Sequence, residues 1–195
     1  MIQKKVLVMF VLLVAIVGLY FDSNIVGDLL FKFGMFGSAS ACYENRYRLD
    51  GNTYSLERLA ITTNDKNKRI FCYAKLLDDS KYMKSISQQE LVSLKSTYIQ
   101  SLYLDGQKTK AKEYFMKNRS GFDNATKIRI AQVIALDSNS QKVDYQFALQ
   151  ECLGSSIVMP STQDITRQNS GTAGLLYEKI GNQQAAEFCR KVNLQ

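Results

Sequence analysis

Histidine and tryptophan are absent from this 195-residue chain, and proline occurs once. Without histidine, no side chain titrates near neutral pH by default, and His-based catalysis and His-ligated metal sites are excluded. A single proline and 46% hydrophobic residues argue against disorder. The four cysteines form no C-x-x-C pair, which removes the usual zinc and thioredoxin-like signatures. G-x-x-x-x-G-K-S/T, G-x-G-x-x-G and G-x-S-x-G are all missing. We therefore expect no cofactor, no metal and no catalytic residue. Paired carboxylates remain as a chemistry, as in glycoside cleavage, so a cell-wall hydrolase is the remote enzymatic reading. Most glutamates, such as Glu90 and Glu151, fall at helix caps or beside core positions instead.

What is present begins with Val6–Phe21, sixteen residues without a charge, preceded by Lys4 and Lys5 and ended by Asp22. A spanning helix needs about 20 mostly apolar residues, with about 17 as the lower limit. Flanking residues can extend the run into the interface. A cleaved secretory signal is the rival, but Ala39-Ser40-Ala41, the A-x-A match, lies far beyond the apolar core. We read residues 1–21 as a membrane anchor or uncleaved signal. Lysines before the run and acids after it place the N-terminus in the cytoplasm. The expected location is an inner or plasma membrane, single-pass, with the remaining domain periplasmic or extracellular. Residues 22–41 read as a juxtamembrane linker: an amphipathic stretch along the membrane surface, then a flexible join at Gly34–Ala41. Residues 42–195 read as one exported helical domain.

The net charge is +7, and the excess is local. Residues 95–129 carry a net +5, whereas residues 137–195 carry −1. A basic middle can meet acidic lipid or an acidic protein. Nucleic acid is not expected on the far side of a membrane. We expect Lys108, Lys112, Lys117 and Arg119 to face a protein partner, with Tyr98 and Tyr103 as core or groove residues. Because export favours oxidation, Cys42, Cys72, Cys152 and Cys189 are disulfide candidates. Four cysteines allow three pairings, of which 42–72 and 152–189 are the most economical.

The pattern from Asn52 onward has helical spacing. Leu56, Leu59, Ala60 and Thr63 share one face, as do Ile70, Tyr73, Ala74 and Leu77. Ser87-Gln88-Gln89-Glu90 is a capping box, in which the serine and glutamate side chains each satisfy an unpaired amide. It opens a helix carrying Leu91, Leu94, Tyr98 and Leu102, which Asp105-Gly106 stops. Asp123 caps a further helix with Ile128, Ala131 and Ala135 in register. Tyr145, Ala148, Leu149, Cys152 and Leu153 form another stripe. Ala173, Leu176 and Tyr177, then Ala185, Phe188 and Cys189, mark two last helices split at Gly181-Asn182. Only Arg46–Tyr54 reads as a brief extended piece. The class is all-α: a transmembrane or signal helix followed by stacked antiparallel helical hairpins.

Two of these hairpins carry small and large residues in a specific order. The first has Leu102, Gly106, Ala111 and Phe115; the second has Gly174, Tyr177, Gly181 and Ala186. Both resemble tetratricopeptide repeats, with departures at Ile99, Asn118 and Arg190. The resemblance covers about 50 residues and implies a surface for holding a peptide or partner protein. The leading expectation is a membrane-anchored, exported helical-repeat protein that binds other proteins as a scaffold or assembly factor in a membrane complex. An exported inhibitor, such as an immunity protein against a toxin, is the alternative.

Overall fold

Glycine-closed hairpins organise the chain. A computed structural model describes residues 23–194, and the apolar run Val6–Phe21 lies outside them. Eleven α-helices and no strand occur among the described residues, which fall into two units divided after Ile86.

The first unit holds α1 (Ser23–Lys32), α2 (Phe36–Asp50), α3 (Thr53–Thr62), α4 (Lys66–Asp78) and α5 (Ser80–Ser85). Consecutive helices pack on one another from α1 through α5. The side chains of Asn52, Asp65 and Asp79 cap α3, α4 and α5 by accepting from first-turn amides, one orphan donor or two at each start. The core joins Val26 and Leu30 of α1 to Tyr43 of α2, with Leu56 and Leu59 of α3 and Leu76 of α4 also buried.

Four expectations change here. Residues 36–50 form a continuous helix, so Gly34–Ala41 is not a flexible join. The chain turns at Gly34 alone, which has φ +73°. Its flanking amides bond back across the turn, Met35 N–H to Leu30 O at 2.9 Å. That is the Schellman closure, which needs a left-handed residue and so favours glycine. Arg46–Tyr54 is not extended: α2 runs to Asp50 and α3 starts at Thr53. On α4 the buried face is Cys72, Tyr73 and Leu76, so the helix is rotated by a fraction of a turn from the Ile70–Leu77 stripe. Asp79 ends α4 and also starts α5, which periodicity did not reveal.

The second unit holds α6 (Gln88–Leu104), α7 (Lys108–Asn118), a 3₁₀ turn (Arg119–Gly121), α8 (Asn124–Leu136), α9 (Lys142–Phe147), a π turn (Ala148–Cys152), α10 (Ser170–Ile180) and α11 (Gln183–Leu194). The capping box forms as expected: Glu90 N–H donates to Ser87 Oγ at 3.2 Å, and Ser87 N–H donates to Glu90 Oε2 at 2.7 Å. Asp123 caps α8, accepting from the Thr126 amide at 2.7 Å. Gly106 and Gly181 have positive φ and repeat the closure seen at Gly34. Gln107 N–H reaches Leu102 O, and Asn182 N–H reaches Tyr177 O, both at 2.9 Å. Phe115 is fully buried on α7 and meets the rings of Phe122 and Phe147, each at 5.7 Å. On α10, a Cβ added to Gly174 would stand 3.4 Å from Cys189 Cβ, so the absent side chain sets the closeness of the α10–α11 crossing.

The expected disulfides are not formed; all four cysteines are free thiols. Cys72, Cys152 and Cys189 serve as packing residues instead. Cys189 packs on Gly174, whereas Cys152 lines a cleft beside Ile128, so the two lie in different surroundings. No helix among the described residues is long and apolar enough to cross a membrane.

Candidate functional site

Lys108 and Lys112 stand one helical turn apart on α7, four residues being the spacing that aligns two side chains on one face. Opposite them is the corner between α8 and α9. There Asp144 occupies the third position of its helix and accepts from the Gln141 amide at 2.8 Å. Its side chain is only 5% exposed. Lys112 Nζ lies 2.6 Å from Asp144 Oδ1, and Lys108 Nζ lies 3.3 Å from Oδ2 and 3.1 Å from Asp137 Oδ2. Lys108 also donates to the Asn139 carbonyl. Both ammonium groups sit over rings, Lys108 at 5.0 Å from Tyr103 and Lys112 at 5.3 Å from Phe147. The Tyr103 hydroxyl meets Ser140 Oγ at 2.9 Å, and the Tyr145 hydroxyl donates to the Ser140 carbonyl.

Two lysines thus face two aspartates, and the cluster is neutral. Burial pushes the Asp144 carboxyl up, but the Gln141 amide and then the two lysines outweigh it, leaving it below the ordinary range. Asp137 is also lowered: burial works against ionisation, and the Asn139 amide and Lys108 overcome it. Burial, the largest influence on Tyr103, raises its phenol. Tyr103 is a core residue as expected; Tyr98 is half-buried and packs edge-on against Tyr114 at 5.0 Å.

The structure therefore separates the four basic residues expected to face a partner. Lys108 and Lys112 close the α7–α9 corner from within. Arg119 pairs with Glu151 at 2.6 Å, on a half-exposed surface. Lys117 is exposed and makes no ion pair with a described residue. Three cations of the basic middle thus find their acids in the C-terminal part of the sequence.

The segment between the π turn and α10 carries no helical periodicity in its sequence. Residues 154–169 form a long connection without a helix of its own, and such connections in folded domains are commonly functional. It is held at several points. Ser155 Oγ meets the Tyr177 hydroxyl at 2.8 Å, and the same hydroxyl donates to Ser156 O. Asn182 donates to Val158 O at 2.6 Å. Asn169 accepts from the Thr166 amide and donates to Asp164 O. The Ser161–Asp164 reciprocal pair makes a short capped turn.

This segment walls a cleft of about 490 Å³, shared with Asn124 and Ile128 of α8 and with Cys152. Gln163, Asp164, Thr166, Arg167, Gln168 and Asn169 contribute its other polar side chains. Amides supply donors and acceptors together, which suits a peptide backbone. The Cys152 thiol is pushed well up by burial, so it is protonated at neutral pH and is a wall rather than a nucleophile. Among the described residues, no three Cys, Asp or Glu side chains come together as a metal site.

A second polar cluster, also unforeseen, lies in the first unit. Asp28 Oδ1 accepts from the Tyr43 hydroxyl at 2.7 Å, and Asp28 Oδ2 accepts from the Tyr54 hydroxyl at 2.7 Å. Arg58 Nε donates to Tyr54 Oη at 3.1 Å and its guanidinium lies over the Tyr54 ring at 5.2 Å. Burial, followed by the bond to Asp28, raises the Tyr43 phenol. Gly27 makes the approach possible: a Cβ there would stand 2.6 Å from Tyr43 Cε1. No local sequence signal joins residues 28, 43, 54 and 58, because they come from three helices. No protein-family model, curated protein or solved structure matches this chain, so its role has to be argued from this geometry.

Proposed function

We propose that this is a membrane-anchored protein whose exported helical domain binds other proteins, as a scaffold or assembly factor in a membrane complex. The observation that carries this reading is the amide-lined cleft beside the α10–α11 hairpin. It offers paired donors and acceptors to an extended peptide and no activated nucleophile. The tetratricopeptide-like positions support it. Leu102, Ala111 and Phe115 fill one hairpin, Tyr177 and Ala186 fill the other, and Gly106 and Gly181 turn them. The anchor in this reading is Val6–Phe21, which puts the domain on the far side of the membrane from the N-terminus. Partner-facing charge falls to Lys117 and Arg167, because Lys108 and Lys112 are neutralised from within.

In-cell crosslinking, mild detergent extraction and purification of the tagged full-length chain test the proposal. One or a few components of a membrane complex should co-purify, and Arg167→Glu should reduce their yield more than Lys117→Glu does. Recovery of a single soluble toxin would replace the scaffold with an inhibitor. Recovery of the chain alone would defeat both.

A further inference from the structure

Helix α1 has two unlike faces. Val26, Gly27 and Leu30 are buried against the rest of the first unit. On the other side Ile25 is 58%, Leu29 42% and Phe33 61% exposed, and Phe36, at the start of α2, is 49% exposed. Ile25, Leu29 and Phe33 follow one another at intervals of four, so they form a single line along the helix. Lys32 stands beside them, exposed, at the end of α1. Asp28, the one acid on the helix, is engaged by Tyr43 and Tyr54.

The helix cannot roll to hide this line. Asn24 accepts from Ser55 Oγ at 2.7 Å, Asp28 is held by two hydroxyls, and Gly27 is packed on the Tyr43 ring. Rotation would break all three at once. The apolar line is a fixed feature of the outer surface.

Its place in the chain indicates what covers it. The sixteen-residue uncharged run ends at Phe21, four residues before Ile25. Four residues span at most about 14 Å even when fully extended. The headgroup layer on each side of a bilayer is about 5–8 Å deep. An anchor ending at Phe21 therefore holds Ile25 within reach of the lipid interface. A helix with Phe and Leu on one side and a lysine at the rim has the composition of an interfacial helix. The lysine stem can lie along the acyl boundary while its ammonium group reaches phosphate.

We infer that Ile25, Leu29 and Phe36 mark the lipid-facing side of α1, which lies in the bilayer interface with Lys32 directed at anionic headgroups. This rests on the anchored reading above. It makes α1 part of a folded, membrane-seated unit rather than of a linker.

The absence of tryptophan gives a clean test. Leu29→Trp and, separately, Ile25→Trp place a single reporter in the otherwise tryptophan-free full-length chain. Each variant is reconstituted into vesicles of phosphatidylethanolamine and phosphatidylglycerol, with or without bromine on the upper acyl chain. After flotation, both reporters should emit at blue-shifted wavelengths and lose most of their intensity with brominated lipid. A chain that floats with vesicles but keeps its emission in brominated lipid would overturn the inference and leave the anchor standing. Blue-shifted emission untouched by bromine would mean protein covers the line, either Val6–Phe21 folded back or a second copy, and would also overturn it. A chain that fails to float would remove the anchor, and the lipid-facing helix with it.

Discussion

Each unit contains one aspartate around which several side chains converge, and the two are solved differently. Asp144 in the second unit is almost sealed from water and is surrounded by two ammonium groups and a backbone amide. Asp28 in the first unit is 37% exposed and is held mainly by phenol hydroxyls, with Arg58 Nε no nearer than 3.8 Å. A buried carboxylate needs opposite charge, because the loss of hydration must be offset inside the protein. A carboxylate at the surface keeps part of its hydration, and neutral donors suffice to fix its geometry. The second unit uses charge to close a corner; the first uses one acid to fix the roll of a helix.

The largest expected effect breaks the buried cluster. Asp144→Ala leaves two half-hidden lysines facing each other without their shared acid, and should lower unfolding free energy by about 3 kcal/mol in urea titrations. If Asp144→Ala and Asp28→Ala cost the same, the contrast between the two clusters fails. Gly27→Ala comes next. Its added methyl meets the ring of Tyr43, which is fully buried and has nowhere to go, so a loss of about 1–3 kcal/mol is expected. Thermal unfolding should show that loss together with weakened α1 packing. Asp28→Asn retains an acceptor for the two tyrosines and should cost less than about 1 kcal/mol, as surface interactions usually do.

Acid sharpens the same contrast. Asp144 and Asp137 ionise below 3.8, the ordinary aspartate value, in the folded chain. The unfolded chain therefore takes up protons first as pH falls. Their contribution is complete above that value and is lost as pH drops through the lower folded one. Asp144→Asn should flatten the acid limb of a stability–pH curve.

The smallest effect concerns the thiols. Burial raises Cys72 and Cys189 to about 11, and Cys152 also rises. These three should alkylate slowly in native protein, and all four cysteines should react at once in denaturant without reductant. Mass spectrometry counts the adducts; fewer than four would restore a disulfide.

Local signals were legible where they act over three or four residues. Ser87 with Glu90, Asp123 with Thr126, and the turns at Gly106 and Gly181 all formed as read. Gly34 makes the same turn as Gly106, although the sequence around it has the composition of a flexible join. Its neighbours, Gly37 through Ala41, are small and polar and hide the helix that follows. Burial of Ala39 and Tyr43 against the first unit supplies what propensity does not. On α4, periodicity found a helix but misplaced its inward face, since Cys72 and Leu76 fit that core more fully than Ile70 and Leu77.

The sequence by itself determined the helical class, the caps and turns, the apolar run, and the absence of histidine chemistry. These depend on residue identity and on spacing within a turn or two. Which charges remain available was decided only by tertiary structure. Lys108, Lys112 and Arg119 are as basic in sequence as Lys117, but folding brings Asp144, Asp137 and Glu151 to the first three and leaves Lys117 in water. Coulomb attraction acts through space, and its partners here lie 29 to 36 residues apart, beyond the reach of any local pattern.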